Sequence, residues 1–200
     1  MDQLRSAVVR VFQRGVRITG MARRSRRAAK AGVALALVLG ASIALFASLD
    51  AGRLRPAPLG ATYPTLDAMA EAVIAAVEAG DAGGLQALAL TEQEFRSHVW
   101  PELPASRPER NVPFDFVWGM LRQNSQGHLQ QTLSRFKGKD LTLVRVRTAG
   151  ESTDYEGVTV HRDTELVVKD ESGTEQQVRL FGSTIEQNGR YKVFSFVVDD

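Results

Sequence analysis

The spacing of hydrophobic residues along the chain changes twice. Residues 31–49 form an apolar run without a single charged residue. Between about 66 and 136, apolar residues recur every three or four positions, which is typical of amphipathic helices. From about 140 onward they alternate with polar residues, as in half-buried strands. Helices followed by a run of strands indicate an α+β fold behind one long apolar helix.

The apolar run is long enough to cross a membrane. Nineteen helical residues span roughly 28 Å, close to the thickness of a bilayer core. Residues 1–30 hold nine basic residues and one acidic residue, a net charge of +8. The excess of positive charge predicts that this tail stays in the cytoplasm and that the rest of the chain lies outside. Met1 and Met21 are both compatible as start residues, because the basic cluster at 23–30 follows either one.

This pattern predicts a single-pass protein of a bacterial-type cytoplasmic membrane, held by an uncleaved signal anchor. It comprises a basic cytoplasmic tail (1–30), a transmembrane helix (31–49), a linker (50–64) rich in Pro and Gly, and an extracytoplasmic α+β domain (65–200). The alternative is a cleaved secretory signal, which would release the domain as a secreted protein. The absence of a good small-x-small cleavage site favours the anchor.

Capping residues predict where several helices begin and end. Thr65 is suited to cap a first helix over 66–79, and Gly80 is suited to end it. Asp81 caps a shorter helix, and Thr91 with Glu94 forms a capping box that begins a third. A fourth helix is expected from about 114, with a break at 124–125 and a continuation to about 136.

The C-terminal part predicts four strands, at about 140–148, 156–169, 174–187 and 190–198. Residues 170–173 and the dipeptide Asn188–Gly189 read as hairpin turns, the second of type I′. Consecutive strands joined by short turns form an antiparallel meander. We therefore expect N-terminal helices packed on one face of a curved four-stranded sheet.

This order of elements resembles the NTF2-like superfamily over about residues 66–198. The residues that best carry the resemblance are Leu180–Phe181–Gly182–Ser183, Glu186, Asn188–Gly189, Lys192 and the apolar end Val193–Val198. The resemblance implies a cone-shaped sheet that encloses a pocket with the first helices. It also implies one of several functions, because members include isomerases, dehydratases, polyketide cyclases and binding or dimerisation modules. A homodimer through the sheet face is compatible with it.

Three residues are candidates for ligand binding. Arg162 shares the parity of an apolar strand row, so it is expected either to line a pocket or to find an ionic partner. Glu186 shares the parity of Val178 and Leu180 in the third strand and is placed to meet Arg162 or solvent. Trp118 either roofs a pocket or belongs to the core. The apolar row of Arg162 consists of Val158, Val160, Leu166 and Val168.

Other chemistry finds little support in the sequence. The chain has no Cys. His98, His128 and His161 lack the spacing of a metal site, so they are interpreted as histidines on the surface or on the polar face of a helix. The 16 basic and 22 acidic residues of 31–200 give a net charge of −6, which argues against nucleic acid as a partner. Arg145 and Arg147 are expected to form salt bridges on the outer face of the sheet. We expect no metal, no cofactor and no catalytic residue.

The sequence therefore predicts a membrane-anchored binding or interaction module without evident catalysis. Its partner would be a protein or a small ligand. The alternative is an NTF2-like lyase or isomerase that acts on a small apolar molecule in the cone pocket, with Arg162 or Glu186 polarising it.

Overall fold

The computed structural model describes residues 57–197. The predicted tail and transmembrane helix, and the first part of the predicted linker (50–56), lie outside these residues. Within the described range, no helix combines the length and the hydropathy that crossing a bilayer requires.

The helical part begins at Leu66, and its caps match the sequence predictions. The Oγ1 of Thr65 accepts the Ala68 N–H at 3.1 Å, and Gly80 ends the first helix in the left-handed conformation with φ of 67°. Thr91 and Glu94 form the expected capping box. The helices are α1 (Leu66–Ala79), α2 (Ala82–Leu88), α3 (Glu92–Glu94) and α4 (Phe114–Phe136).

A more irregular segment joins α3 to α4. It starts with a π-helical turn that buries Phe95 and Val99, as predicted for the third helix. It continues as three short 3₁₀ turns, each of which has a proline in its first two positions. These elements are the π turn Phe95–Val99 and the 3₁₀ turns Trp100–Glu102, Pro104–Ser106 and Pro108–Arg110.

The predicted break in the fourth helix is wrong, because α4 runs without interruption from Phe114 to Phe136. Asn and Ser are unfavourable inside helices mainly because their side chains compete for backbone hydrogen bonds. Here the Ser125 Oγ accepts the Phe196 N–H at 3.0 Å instead. A contact with a distant segment of the chain thus uses the hydroxyl that the sequence predicted as the cap of a new helix.

The strand region is antiparallel, which confirms the α+β class, but it has more strands than predicted. Seven strands form two sheets in the described residues, with orders β1-β4-β5 and β2-β3-β6-β7. The Asn188–Gly189 turn is of the expected type, with φ of 52° and 73°. The strands are β1 (Thr142–Thr148), β2 (Ser152–Tyr155), β3 (Val158–His161), β4 (Thr164–Lys169), β5 (Glu175–Val178), β6 (Ser183–Gln187) and β7 (Arg190–Ser195).

The two long central strands of the prediction are each divided by a corner. Strand 156–169 is interrupted at Arg162 and Asp163, where Asp163 has φ of 51°. Strand 174–187 is interrupted between Val178 and Ser183. Backbone hydrogen bonds continue across the corners, for example from the Thr164 N–H to the Gly182 carbonyl at 2.8 Å. The chain therefore passes from one sheet to the other without losing its pairing.

These corners overturn two predictions of side-chain direction. The apolar row expected beside Arg162 is not a single face, because two of its residues lie in β3 and two in β4, in different sheets, and Arg162 lies at the corner between them. The parity of Glu186 with Val178 and Leu180 fails for the same reason, since β5 ends before β6 begins. A period of two holds only within an uninterrupted strand.

The main core lies between the helices and both sheets. It combines the apolar face of α1 with residues of α4 and with strand residues such as Leu166, Val168 and Val193. The segment 59–63 packs along the outer edge of β7, where Tyr63 and Tyr191 exchange two backbone hydrogen bonds of 2.8 Å. The Leu90 N–H donates to the Val193 carbonyl further along the same edge. Other segments therefore cover the last strand on its outer side.

Candidate functional site

The three candidate residues lie in different surroundings. Arg162 lies at the corner between β3 and β4, half-buried, with its backbone paired to residues 150 and 151. Glu186 lies in β6 and contacts His161 rather than Arg162. Trp118 lies on α4 and packs on Phe95, with 5.5 Å between ring centroids. No described contact joins any two of these three side chains.

Trp118 lines a half-open cleft of about 160 Å³, which we call the Trp118 cleft. Its walls come from α2, α4, the segment after α2, and the end of the chain at β7. Apolar side chains form the floor, and three polar side chains that are exposed, Gln86, Arg122 and Gln126, lie at the rim. The remaining lining residues are Ala89, Leu90, Leu121, Ser125, Leu129, Phe194 and Phe196.

The helical repeat of α4 explains why one helix supplies so much of this wall. Each of positions 118, 121, 122, 125, 126 and 129 has another member of the set three or four residues away, so they share one face of the helix. The Ser125–Phe196 hydrogen bond fixes this face against the end of the chain. The ring of Phe95 supports the cleft from below, where it contacts both Trp118 and Phe194.

A chain of polar contacts crosses the four-stranded sheet on one of its faces. We call it the polar row, and it consists of Ser152, His161, Glu186 and Tyr191. Ser152 Oγ lies 2.8 Å from His161 Nδ1, and His161 Nε2 lies 2.8 Å from Glu186 Oε2. The Tyr191 side chain also bonds Glu186. Burial, together with the Glu186 charge, raises the pKa of the Tyr191 hydroxyl.

A buried ion pair occupies the opposite face of the same sheet. Lys192 is 2% exposed, and its Nζ lies 2.9 Å from each Glu94 carboxylate oxygen and from the Gly60 carbonyl. Burial acts to raise the pKa of Glu94. Hydrogen bonds from the Thr91 backbone, from Lys192 and from the Gly60 N–H outweigh it, so the pKa lies below its ordinary value. We call this group the Lys192 node.

His98 and Arg147 have structural surroundings. His98 is 3% exposed, so the prediction of a surface position is wrong for it, and burial lowers its pKa. Arg147 forms the expected salt bridge, to Glu165 at 2.6 Å. Hydrogen bonds from Arg147 lower the pKa of that carboxyl. Among residues 57–197, no three His, Cys, Asp or Glu side chains are grouped to hold a metal ion.

Sequence reasoning missed most residues of these sites. Arg122 and Gln126 carry a detectable signal, because they flank an apolar stripe that includes Trp118 at helical spacing. The contact between Ser152 and His161 has no detectable signal in the sequence, since it depends on the register of β2 against β3. The Lys192 node joins residues 98 and 132 positions apart, which no local pattern indicates.

Comparison with known proteins adds no relative to this picture. No protein-family model matches the chain, and neither a curated protein nor a solved structure matches it. The functional argument therefore rests on the geometry of the chain itself.

Proposed function

We propose that this protein is a membrane-anchored binding module whose extracytoplasmic domain holds a small amphiphilic anion in the Trp118 cleft. The observation that carries the proposal is the cleft itself, with an apolar floor and polar groups at its rim. Binding sites are commonly concave, mostly apolar and completed by a few polar groups that orient the ligand. A volume of about 160 Å³ suits a short apolar group rather than a long chain.

The charge at the rim supports an anionic ligand. Arg122 is exposed and takes part in no ion pair with another described residue. Its guanidinium is therefore available for bidentate binding of a carboxylate or phosphate. Gln86 and Gln126 offer further hydrogen bonds at the same rim. An apolar tail would lie against Trp118 and Phe196 while the anion met Arg122.

The setting of the module is proposed from the sequence. The uncharged run 31–49 and the basic tail before it favour an anchor with the domain outside the cytoplasm. Helices followed by bent antiparallel strands support an NTF2-like domain with a cone-shaped sheet. A lyase or isomerase that polarises its substrate with Glu186 has less support, because that carboxylate already bonds His161 and Tyr191.

Tryptophan fluorescence tests the proposal directly. The chain has two tryptophans, so Trp100→Phe leaves Trp118 as the only reporter. The full-length variant, reconstituted in phosphatidylcholine vesicles, is titrated with hexanoate and with 1-hexanol as its uncharged match. We expect saturable quenching or a wavelength shift with hexanoate and weaker binding of the alcohol.

Two further variants decide whether the site is the one described. Adding Arg122→Gln to the reporter variant should weaken hexanoate binding roughly tenfold, because a charge-assisted hydrogen bond contributes about 1.5–3 kcal/mol. Arg135→Gln on the last turn of the same helix is the matched control and should leave binding unchanged. Equal affinity for acid and alcohol, or equal effects of the two substitutions, would refute the proposed site.

A further inference from the structure

The polar row contains the three chemical groups of a serine-based acyl-transfer site. Ser152, His161 and Glu186 lie on three adjacent strands, β2, β3 and β6. Both distances that link them are 2.8 Å, within the range for a nucleophile bound to a base and a base bound to an orienting carboxylate. The arrangement requires only strand register, because Ser152 pairs directly with His161 across the β2–β3 ladder.

The hydrogen bonds place the imidazole proton on the side away from the serine. An ionised carboxylate only accepts hydrogen bonds, so Glu186 requires a proton on His161 Nε2. In the neutral ring, Nδ1 then carries the lone pair and accepts a hydrogen bond from the Ser152 hydroxyl. This is the tautomer in which a histidine acts as a general base toward serine.

Ser152 is the most exposed of the three groups. It lies on β2, which is one of the two edge strands of its sheet. The side chains of His161 and Glu186 are 17% and 29% exposed. Tyr191 bonds Glu186 from the neighbouring strand β7 and so limits its rotation. The nucleophile is thus accessible, while the base and its orienting group are held in place.

We propose that Ser152 is a nucleophile toward small carboxylic esters, with His161 as its general base and with Glu186 and Tyr191 as positioning residues. In the first step Ser152 Oγ bonds to the ester carbonyl carbon, the carbonyl π pair moves onto the carbonyl oxygen, and the hydroxyl proton passes to His161 Nδ1. The carbonyl re-forms as the carbon–alkoxide bond breaks, and the alkoxide leaves with that proton as an alcohol. Water then gives a proton to the same nitrogen as its oxygen bonds to the acyl carbon. The bond from that carbon to Ser152 Oγ breaks, and Oγ takes the proton back, which releases the acid and restores the serine. The open face favours short acyl groups over extended ones.

An active-site label locates the reactive serine. The full-length protein in mild detergent is treated with a fluorophosphonate, which the Ser152 oxygen attacks at phosphorus with loss of fluoride. Peptide mass spectrometry then compares Ser152 with Ser172. Ser172 is the internal control, because it is also exposed and its hydroxyl bonds the Asp170 carboxylate without an imidazole. We expect Ser152 to be labelled at least tenfold faster.

Substitutions separate catalysis from simple structure. His161→Gln should remove the preference for Ser152 and the hydrolysis of p-nitrophenyl acetate, since a general base contributes roughly 10²–10⁴-fold. Glu186→Gln should reduce both, and Glu186→Asp should restore part of the loss. Circular dichroism checks that each variant is folded. Equal labelling of the two serines, or labelling of Ser152 that His161→Gln leaves unchanged, would overturn the proposal.

Discussion

The two faces of the four-stranded sheet carry polar groups of opposite character. On one face, Lys192 is buried and each of its hydrogen bonds ends on a protein group, at Glu94 and at Gly60. On the other face, the polar row begins at an exposed serine and passes through a partly exposed imidazole. Lys192 and Tyr191 are neighbours in sequence, so a single step along β7 separates the two environments.

The contrast teaches which polar groups hold this domain together and which are open to other molecules. The Lys192 node ties α3 and the segment around Gly60 to β7, and it has no open position for a ligand. A buried charge of this kind needs its partner, because desolvation is otherwise uncompensated. The polar row is less buried, so its loss should affect chemistry more than stability. The predictions below test this difference.

The largest effect is expected from Lys192→Met. The substitution leaves the Glu94 carboxylate largely buried without its cation, and breaking such a pair costs about 3–5 kcal/mol. Chemical denaturation of the full-length protein, followed by circular dichroism, measures the loss. Lys192→Met combined with Glu94→Leu should recover much of it, because the uncompensated charge is gone. If Lys192→Met alone lowers the free energy of unfolding by less than about 1 kcal/mol, the Lys192 node does not make the proposed contribution to stability.

Acidification should destabilise the domain through the same group. The pKa of Glu94 is lowered in the folded state, as are those of Glu165 and Asp170. A depressed carboxyl pKa stabilises the fold above the unfolded value of about 4.3, and this stabilisation is lost as the pH falls through the folded pKa. The midpoint temperature of unfolding, measured between pH 7 and pH 3, should therefore decrease once the pH is lower than about 5. Glu94→Gln should show a smaller change over this range, and an identical change would contradict the assignment.

A smaller effect of opposite sign is expected at Thr184. This residue is 0% exposed, lies across from His161 in the β3–β6 ladder, and its Oγ1 has no hydrogen-bond partner. Thr184→Val keeps the shape of the side chain and removes an unsatisfied hydroxyl, so we expect a gain of about 1 kcal/mol. Thr159→Val is the matched control, because the Thr159 hydroxyl bonds Asp154. A loss of stability at Thr184 would show that its hydroxyl has a partner in solution.

The smallest effects are expected in the polar row. His161→Gln and Tyr191→Phe should each change the free energy of unfolding by no more than about 1 kcal/mol, because partly exposed pairs contribute little. Thermal unfolding of these full-length variants and of Lys192→Met, measured under the same conditions, compares their losses of stability. A loss in His161→Gln as large as that of Lys192→Met would remove the distinction between the two faces.

Local signals in the sequence were sufficient for element ends and for turns. The capping box at Thr91 and Glu94, the stop at Gly80 and the turn at Asn188–Gly189 were all predicted and are all present. Each depends on hydrogen bonds or backbone angles within a few residues, so its energy is decided locally. The α+β class followed from the change of hydrophobic period near residue 140.

The tertiary structure decided where strands bend and which polar groups meet. Asp163 adopts a positive φ at a corner where the sequence has neither glycine nor proline. This corner divides the strand that was predicted to contain Arg162. Ser125 bonds Phe196 across 71 positions, and Lys192 bonds Gly60 across 132. Such contacts depend on sheet register and on packing between distant segments, whose free energies are set by the whole fold. A short window of sequence therefore determines how a segment begins and ends, but not what it contacts.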